Sequence, residues 1–235
     1  MNKKILDHGY IKFIDCWGSD KNIIESARMS TNKGFQGWKK DLKLLRYLWI
    51  NKHHTPFEMC GLTIEIKCPI FITRQWHRHR TQSYNELSGR YSSLPNENYL
   101  PTLERLLLDS KVKITNKQAS KIENSKELTK ENAQKFINNL RKLYLLIEEI
   151  YDEALADGIP KELARIHLPV ARYTKFRASA NLRNWLHFLN LRLDSHAQWE
   201  IQEYAKALGE IVNQLFPKTY ELFNEEQLRK TCEKL

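Results

Sequence analysis

The chain has 235 residues, which is long enough to bury a substantial hydrophobic core. Hydrophobic residues make up 41% of the sequence and it contains only 8 Gly and 7 Pro, so a disordered or fibrous protein is excluded. The formal net charge of +10 favours an anionic partner, such as a nucleotide or a nucleic acid.

Targeting signals and cysteine chemistry give no sign of a membrane or an oxidising compartment. The N-terminal residues contain no apolar run of signal-peptide length, and no stretch of about 18 uncharged apolar residues occurs anywhere. We therefore expect a cytoplasmic protein with no membrane partner. Because Cys16, Cys60, Cys68 and Cys232 form no C-x-x-C pair, we expect free thiols and no metal site.

The N-terminal half of the sequence alternates strand and helix signals. Residues 10–17 are rich in β-forming residues and predict a strand. Asp20 is a candidate N-cap for a following helix, and residues 41–51 repeat the same pattern with an acidic start and an apolar stripe. Residues 62–68 alternate strictly between apolar and polar side chains, which predicts a half-buried strand.

The C-terminal half has the periodicity of helices. We predict a long amphipathic helix over residues 130–157, because Phe136, Leu140, Leu143, Ile147 and Ile150 are spaced by three or four residues. Shorter patterns predict helices over residues 161–167, 178–193 and 195–215.

These elements together predict an α+β fold. We expect a small mixed or antiparallel sheet flanked by helices, followed by a helical C-terminal half. The whole of residues 1–235 is expected to form a single domain. Residues 96–130 are polar and predict an insertion within that domain.

Residues 74–90 concentrate basic side chains around a single acid, Glu86. Guanidinium groups match phosphate oxygens, so this segment predicts an anion site for a nucleotide phosphate. Glu86 could accept a hydrogen bond from a ligand, or it could pair with a neighbouring arginine. For an arbitrary basic cluster, an ion-paired surface helix is the commoner structure. The basic residues are Arg74, His77, Arg78, His79, Arg80 and Arg90.

The segment from Arg78 to Arg90 carries a specific motif. It reads R-H-R-T-Q-S-Y-N-E-L-S-G-R, in which seven residues separate R-H-R from Ser88. This pattern resembles the signature of flavin-dependent thymidylate synthases (ThyX). The resemblance extends through residues 27–30, 55–58, 163–169 and 190–200, and it covers most of the chain apart from residues 96–130.

The resemblance implies a site that binds FAD and dUMP, with Arg192 as the catalytic residue. It implies that the flavin is held by Ser30, Thr55, Glu58, Arg78, His79, Arg80, Asn85, Glu86, Asn181, Arg183 and His187. It implies that dUMP is held by Gln75, Arg78, Glu86, Ser88, Gly89, Arg90, Arg165 and Arg192.

The implied activity is the reductive methylation of dUMP to dTMP in de novo dTMP biosynthesis. By the same resemblance, 5,10-methylenetetrahydrofolate gives the carbon, NADPH reduces FAD, and a homotetramer assembles shared active sites. Arg192 at the pyrimidine edge would stabilise the anionic ring. No nucleophile from the enzyme is expected, because no base lies at triad-like spacing to activate Ser88.

Two positions depart from the family pattern. His187 stands where some members carry Asn, and Met59 stands where His often follows the T-P-F-E run.

Two other functions are alternatives to a thymidylate synthase. They are a non-catalytic RNA-binding protein, which would use the positive charge, and a flavoprotein with another substrate. Most aromatic residues lie on apolar helical stripes, so we expect no nucleic-acid partner.

Overall fold

The computed structural model describes residues 1–111 and 128–232, and these fall into two compact units. The first unit comprises Met1–Cys68, Ile72–Glu86 and Lys175–Leu235, and the second comprises Pro69–Phe71 and Leu87–Thr174. The expectation of a single domain stays a prediction. Much of the predicted insertion at 96–130, residues 112–127, lies outside the described residues.

A five-stranded sheet forms the centre of the first unit. Its strand order is β1-β2-β3-β5-β4, and the pairs β1–β2, β2–β3 and β4–β5 are antiparallel. This arrangement confirms the predicted α+β class. The strands are β1 (Asn2–Ile5), β2 (Gly9–Trp17), β3 (Gly61–Pro69), β4 (Ser83–Glu86) and β5 (Tyr173–Asn181).

Helices cover the sheet of the first unit and build most of the second. In the described parts of the chain, short 3-10 turns also occur at Met29–Thr31 and Arg165–His167. The α-helices are α1 (Asp20–Arg28), α2 (Trp38–Ile50), α3 (Thr55–Glu58), α4 (Ile70–Trp76), α5 (Leu103–Lys111), α6 (Lys130–Ala156), α7 (Lys161–Ala164), α8 (Leu182–Arg192), α9 (Trp199–Leu215) and α10 (Pro217–Cys232).

Strand β3 behaves as its sequence pattern predicts. Leu62, Ile64, Ile66 and Cys68 are all fully buried, because a period of two places them on one face of the strand. At the start of the strand, a Cβ on Gly61 would lie 2.4 Å from the carbonyl oxygen of Ala180. Glycine is therefore needed where the backbone approaches β5 so closely.

The start of α8 differs from the prediction. Residues 178–181 were expected to be helical, but they belong to β5, in which Ala178 pairs with Tyr84 of β4. The strand pairing outweighs the helical propensity of this Ala-rich segment. Asn181 then ends the strand and caps the helix, since its side-chain oxygen accepts a hydrogen bond from Asn184 N at 2.9 Å.

A cluster of aromatic side chains forms the core of the first unit next to the sheet. Trp76 is fully buried, and its ring centroid lies 4.4 Å from that of Phe188 and 5.6 Å from that of Phe176. The indole N–H of Trp185 donates to the Leu62 carbonyl at 3.0 Å. These contacts fix α4 and α8 against the strands, because the Trp76 ring is packed between aromatic rings and the Trp185 N–H has an acceptor.

Asp20 was predicted to cap its own helix, and this prediction is wrong. Ser19 precedes α1, and the Asp20 carboxylate instead accepts hydrogen bonds from Lys218 N at 2.8 Å, Thr219 N at 3.1 Å and Thr219 Oγ1 at 2.6 Å. The first N–H groups of a helix lack partners within the helix, so the carboxylate caps α10 across the fold. Burial raises the pKa of Asp20, and these hydrogen bonds oppose the rise.

Helix α10 itself was missed, because the predicted helices ended at residue 215. A proline at the first position of a helix is compatible with its geometry, and Pro217 begins α10 directly after the end of α9. The long predicted helix, by contrast, is confirmed as α6, with bounds within one residue of those expected.

The second unit is organised around one buried arginine. Arg172 is fully buried, donates to the Pro95 carbonyl at 2.7 Å and forms an ion pair with Glu148 of α6. The Tyr144 hydroxyl donates to the Tyr99 carbonyl at 3.2 Å. These bonds tie α6 to the segment that precedes α5, since a buried guanidinium must have partners.

The four cysteines are free thiols. Within residues 1–111 and 128–232, no helix combines the length and the apolar character needed to cross a bilayer.

We predict that Asp20→Ala lowers the free energy of unfolding by about 1–3 kcal/mol, because it leaves buried donors at the start of α10 without an acceptor. Chemical denaturation at one protein concentration measures this change. Asp152→Ala, at an exposed position of α6, is the control and should change stability by less than about 0.5 kcal/mol. Equal stability of the two variants would show that the cap contributes nothing.

Candidate active site

A pocket of about 660 Å³ opens in the first unit between α2, α3, α8, α10 and the segment that follows α4. Its lining combines cationic groups with aromatic and aliphatic ones. The lining residues are Trp49, Lys52, His54, Phe57, Arg78, His79, Arg80, Thr81, Arg183, Asn184, Leu186, His187, Asn190, Leu191, Arg192, Phe223, Glu226, Gln227 and Lys230.

The R-H-R motif turns back from the end of α4. His79 N donates to the Trp76 carbonyl at 2.9 Å, and the Tyr84 hydroxyl donates to the His79 carbonyl at 2.8 Å. This turn buries His79, which is 6% exposed, and leaves Arg78 and Arg80 exposed on either side. Neither arginine forms an ion pair with the described acidic residues, so both are available to an anion.

Arg192 at the end of α8 reaches back to this turn. Its Nε donates to His79 Nε2 at 3.0 Å, and its Nη2 donates to the Gln75 carbonyl at 3.0 Å. The first bond requires an unprotonated Nε2 on His79. The two contacts orient the guanidinium group and leave Nη1 for a ligand.

The environment of His79 keeps its imidazole neutral. Burial, together with the positive charge of Arg192 and the proximity of His187, lowers the pKa of His79 to about 4. Burial also lowers the pKa of Arg192. At neutral pH the pair is therefore a neutral acceptor and a cationic donor, which is the combination that the hydrogen bond needs.

Helix α8 presents to the pocket a face that carries both polar and apolar side chains. Asn184, His187 and Leu191 follow each other at spacings of three and four, so they lie on one side of the helix. The Asn184 side chain donates to the Thr81 carbonyl at 3.1 Å. Arg183 forms an ion pair with Glu58, so two residues predicted to bind the flavin bind each other in this structure.

Seven of the residues predicted to bind FAD or dUMP lie in the first unit but do not line this pocket. Ser30 is exposed and its hydroxyl donates to the Ala27 carbonyl at 3.0 Å. Asn181 serves as the α8 cap. The seven residues are Ser30, Thr55, Glu58, Gln75, Asn85, Glu86 and Asn181.

The second unit brings together the other predicted dUMP ligands. A Cβ on Gly89 would lie 3.1 Å from Arg165 Cδ, so these residues are adjacent. Ser88 Oγ accepts from Arg90 N at 3.3 Å, and Arg90 Nε lies 3.1 Å from Glu162 Oε2. The group contains two guanidiniums, a hydroxyl and a closely approached glycine, which suits a phosphate.

Several residues that line the pocket were not predicted from the sequence. His54 is exposed at the edge of the pocket that it lines, and partial burial, Arg183 and Lys52 lower its pKa. Asn184 and Asn190 could have been found from the sequence, because each lies three residues along α8 from His187, which was predicted to bind the flavin. The residues of α10 could not, because the helix that carries them was not predicted.

Comparison with known proteins decides the family. A family model described as "Thymidylate synthase complementing protein" matches residues 12–218. The flavin-dependent thymidylate synthase of Rickettsia bellii (strain RML369-C) is 44% identical over 234 residues, which cover 94% of this chain and 78% of the relative. The chain belongs to the flavin-dependent thymidylate synthase family. The enzyme of the same name from Thermotoga neapolitana is 40% identical and covers 95% of this chain and 94% of the relative.

A solved structure of a nucleotide methylase shares the fold. The crystal structure of the UMP/dUMP methylase PolB from Streptomyces cacaoi, bound with 5-Br dUMP, matches with a TM-score of 0.79 and 29% identity. The match covers 94% of this chain and 97% of that one. The family resemblance of the R-H-R segment is thus confirmed, while the role of each residue stays a prediction.

We predict that the wild-type protein loses stability as the pH falls from 6.5 towards 4, because unfolded His79 takes up a proton that folded His79 refuses. Above pH 6.5 His79 is neutral in both the folded and the unfolded protein, so it no longer lowers the stability. Between pH 7 and pH 5, protonation of His79 in the unfolded state should lower the free energy of unfolding by about 1–2 kcal/mol. Urea denaturation of the wild type and His79→Asn measures it, and parallel pH curves for the two proteins would contradict it.

Proposed function

We propose that this chain methylates dUMP to dTMP, with FAD as its cofactor, 5,10-methylenetetrahydrofolate as the carbon donor and NADPH as the reductant. The observation that carries the proposal is the Arg192 guanidinium, oriented by neutral His79 in a cationic pocket. The relatives' name as flavin-dependent thymidylate synthases, and the 5-Br dUMP bound to PolB, support it.

The lining of the pocket fits FAD. Arg78 and Arg80 suit a diphosphate, because no described acid pairs with them. Trp49, Phe57 and Leu186 provide apolar surface for a flat ring system. When bound, FAD supplies the electron and hydride transfer that side chains cannot perform.

The residues predicted to hold FAD divide into two groups by position. Arg78, His79, Arg80, Arg183 and His187 line the pocket and would contact the cofactor directly. The others lie outside this lining, so their proposed contacts rest on the family resemblance. This second group comprises Ser30, Thr55, Glu58, Asn85, Glu86 and Asn181.

Arg192 would act on the pyrimidine of dUMP. Its Nε and Nη2 are occupied by His79 and the Gln75 carbonyl, and the remaining Nη1 can donate to a carbonyl oxygen of the base. A half-buried guanidinium stabilises negative charge more strongly than one in water. Charge that develops on the ring when C5 acts as a nucleophile would be held at this edge.

By family resemblance, Ser88, Gly89, Arg90 and Arg165 are proposed to bind a dUMP phosphate, and the second unit by itself brings these four residues together. Arg90 is paired with Glu162, with both side chains about half exposed, so the pair is weak and a phosphate can replace the carboxylate. The two arginines and the Ser88 hydroxyl then supply the donors. Gln75, Arg78 and Glu86 complete the proposed dUMP set by family resemblance.

No protein nucleophile is proposed for the pyrimidine. The Ser88 hydroxyl accepts a hydrogen bond from Arg90 N, and none of the described residues places a base within hydrogen-bond distance to deprotonate it. Burial raises the pKa of Cys60 to about 12 and raises that of Cys68 well above its usual range. Both thiols are therefore poor nucleophiles at neutral pH.

By family resemblance we propose a homotetramer with shared active sites, and helix α6 offers a surface for a subunit contact. Part of its predicted apolar stripe is inward, but Phe136, Leu143 and Ile150 are 44–49% exposed, and Leu145 and Leu146 are more exposed still. A long helix with an uncovered apolar face is typical of a subunit contact.

The free thiols fit the reducing cytoplasm, which we propose as the location of the protein.

We predict that Arg192→Ala lowers dTMP formation by at least about 100-fold while FAD affinity changes much less, because its proposed partner is the pyrimidine. Formation of dTMP and tritium release from 5-tritiated dUMP measure the activity, and flavin fluorescence measures FAD binding. Lys12→Ala, at an exposed position of β2, is the control. Parallel loss of FAD and activity would contradict the assignment.

We predict that Ser88→Ala keeps measurable turnover at saturating dUMP, with an increase in the KM for dUMP. The reason is that Ser88 is proposed to donate to the phosphate and to take no part in bond formation. Steady-state kinetics with dUMP as the varied substrate separates kcat from KM. Complete loss of turnover at saturating dUMP would identify Ser88 as a nucleophile instead.

A further inference from the structure

Helix α10 supplies one wall of the candidate flavin pocket. Phe223, Glu226, Gln227 and Lys230 all line it, and they lie beyond residue 218, where the family model match ends. The wall is therefore built from a part of the chain that the family signature does not cover.

Glu226 joins α10 to the end of α2. Both of its carboxylate oxygens lie 3.0 Å from Lys52 Nζ, and Oε1 lies 3.0 Å from Lys230 Nζ. The Glu226 side chain is only 14% exposed. Burial opposes its charge, but the hydrogen bonds from Lys230 and Lys52 outweigh that effect and lower the pKa of Glu226. One ionised carboxylate thus keeps two ammonium groups together at the edge of the pocket.

The same stretch of α10 is also fastened to α8. Lys230 Nζ and Gln227 Nε2 both donate to Asn190 Oδ1, each at 2.9 Å. Lys230 therefore belongs to both connections, since it contacts Glu226 on one side and Asn190 on the other. Loss of Glu226 would leave Lys52 and Lys230 as like charges that repel each other, and it would loosen α10 from α2.

The wall also holds an aromatic group in place. The Phe223 ring lies 6.5 Å from the Trp49 ring, and Lys52 Nζ lies 5.5 Å from the Trp49 ring centroid. The indole N–H of Trp49 is buried without a hydrogen-bond partner in the described structure. A displaced α10 would uncover this side of the pocket and remove the packing that positions Trp49.

We propose that Glu226 is a positioning residue for the flavin, acting through Lys52 and Lys230 to hold α10 as the closing wall of the pocket. The inference rests on the proposed binding of FAD in this pocket. It predicts that a substitution at Glu226 weakens FAD binding although the carboxylate is not assigned to touch the cofactor.

Glu225, which directly precedes Glu226 on the same helix, provides a matched control. It also connects α10 to α2, because its oxygens accept from Arg46 at 2.6 and 2.8 Å. It does not line the pocket, and its side chain is 46% exposed. Glu225→Gln and Glu226→Gln each remove one ion-paired carboxylate of α10 without a change in side-chain volume.

The experiment is a fluorescence titration of the full-length apoprotein with FAD. We expect Glu226→Gln to raise the Kd for FAD about tenfold, and Glu225→Gln to change it by less than about twofold. Added FAD should restore dTMP formation by Glu226→Gln, and the difference from the wild type should narrow in high salt, because screening weakens the wild-type ion pairs. Thermal unfolding without FAD identifies any variant that fails to fold.

Three outcomes overturn the proposal. Equal FAD affinity of the two variants would show that the Glu226 bridge is dispensable. Tighter FAD binding by Glu226→Gln would mean that Lys52 and Lys230 bind the cofactor directly and that Glu226 competes with it. Additive effects of Lys52→Gln and Glu226→Gln on the Kd would show that the two residues do not act together. Absence of FAD binding by the wild type would instead refute the proposed function.

Discussion

The hydrogen bond from Arg192 to the imidazole of His79 is the interaction on which the candidate site depends. It forms only while His79 is neutral, and burial keeps it neutral by lowering its pKa to about 4. The bond joins the turn after α4, which carries the R-H-R motif, to the end of α8, which lines the pocket. A charged His79 would repel Arg192 and separate these two elements.

The packing of the first unit explains why His79 can be buried at all. The ring of Phe188, on α8, lies 4.7 Å from the ring of His79 and 4.4 Å from that of Trp76. One face of α8 therefore belongs to the aromatic core, and the other is left for Asn184 and His187 in the pocket. Stability and site geometry thus rest on the same helix, since the core fixes the position of its last residue, Arg192.

Local patterns in the sequence were enough to predict part of this architecture. The alternation over residues 62–68 predicted β3 because a strand buries every second side chain, and the R-H-R segment identified the family. Contacts between distant segments were beyond such patterns. Asp20 caps α10 from a position nearly 200 residues away, residues 178–181 join a sheet despite their helical character, and the α10 wall depends on a helix that was not predicted.

The same limit applies to the candidate site. The motif located Arg78, His79 and Arg80, but periodicity alone does not show that Arg183 pairs with Glu58, because that contact joins α8 to α3. The Arg192–His79 bond spans 113 residues and is likewise visible only in three dimensions. The sequence thus shows which residue types are available for the chemistry, and the fold determines which of them are in contact.

The visible absorption spectrum of the purified protein with FAD, recorded before and after dUMP is added, shows whether the protein binds a flavin that responds to the nucleotide. We expect that flavin is retained and that dUMP shifts the flavin absorption bands, because the nucleotide changes the surroundings of the ring. Flavin that is retained but does not respond to dUMP would point to another substrate. A protein that retains no flavin, and that binds RNA with steep salt dependence instead, would contradict the account.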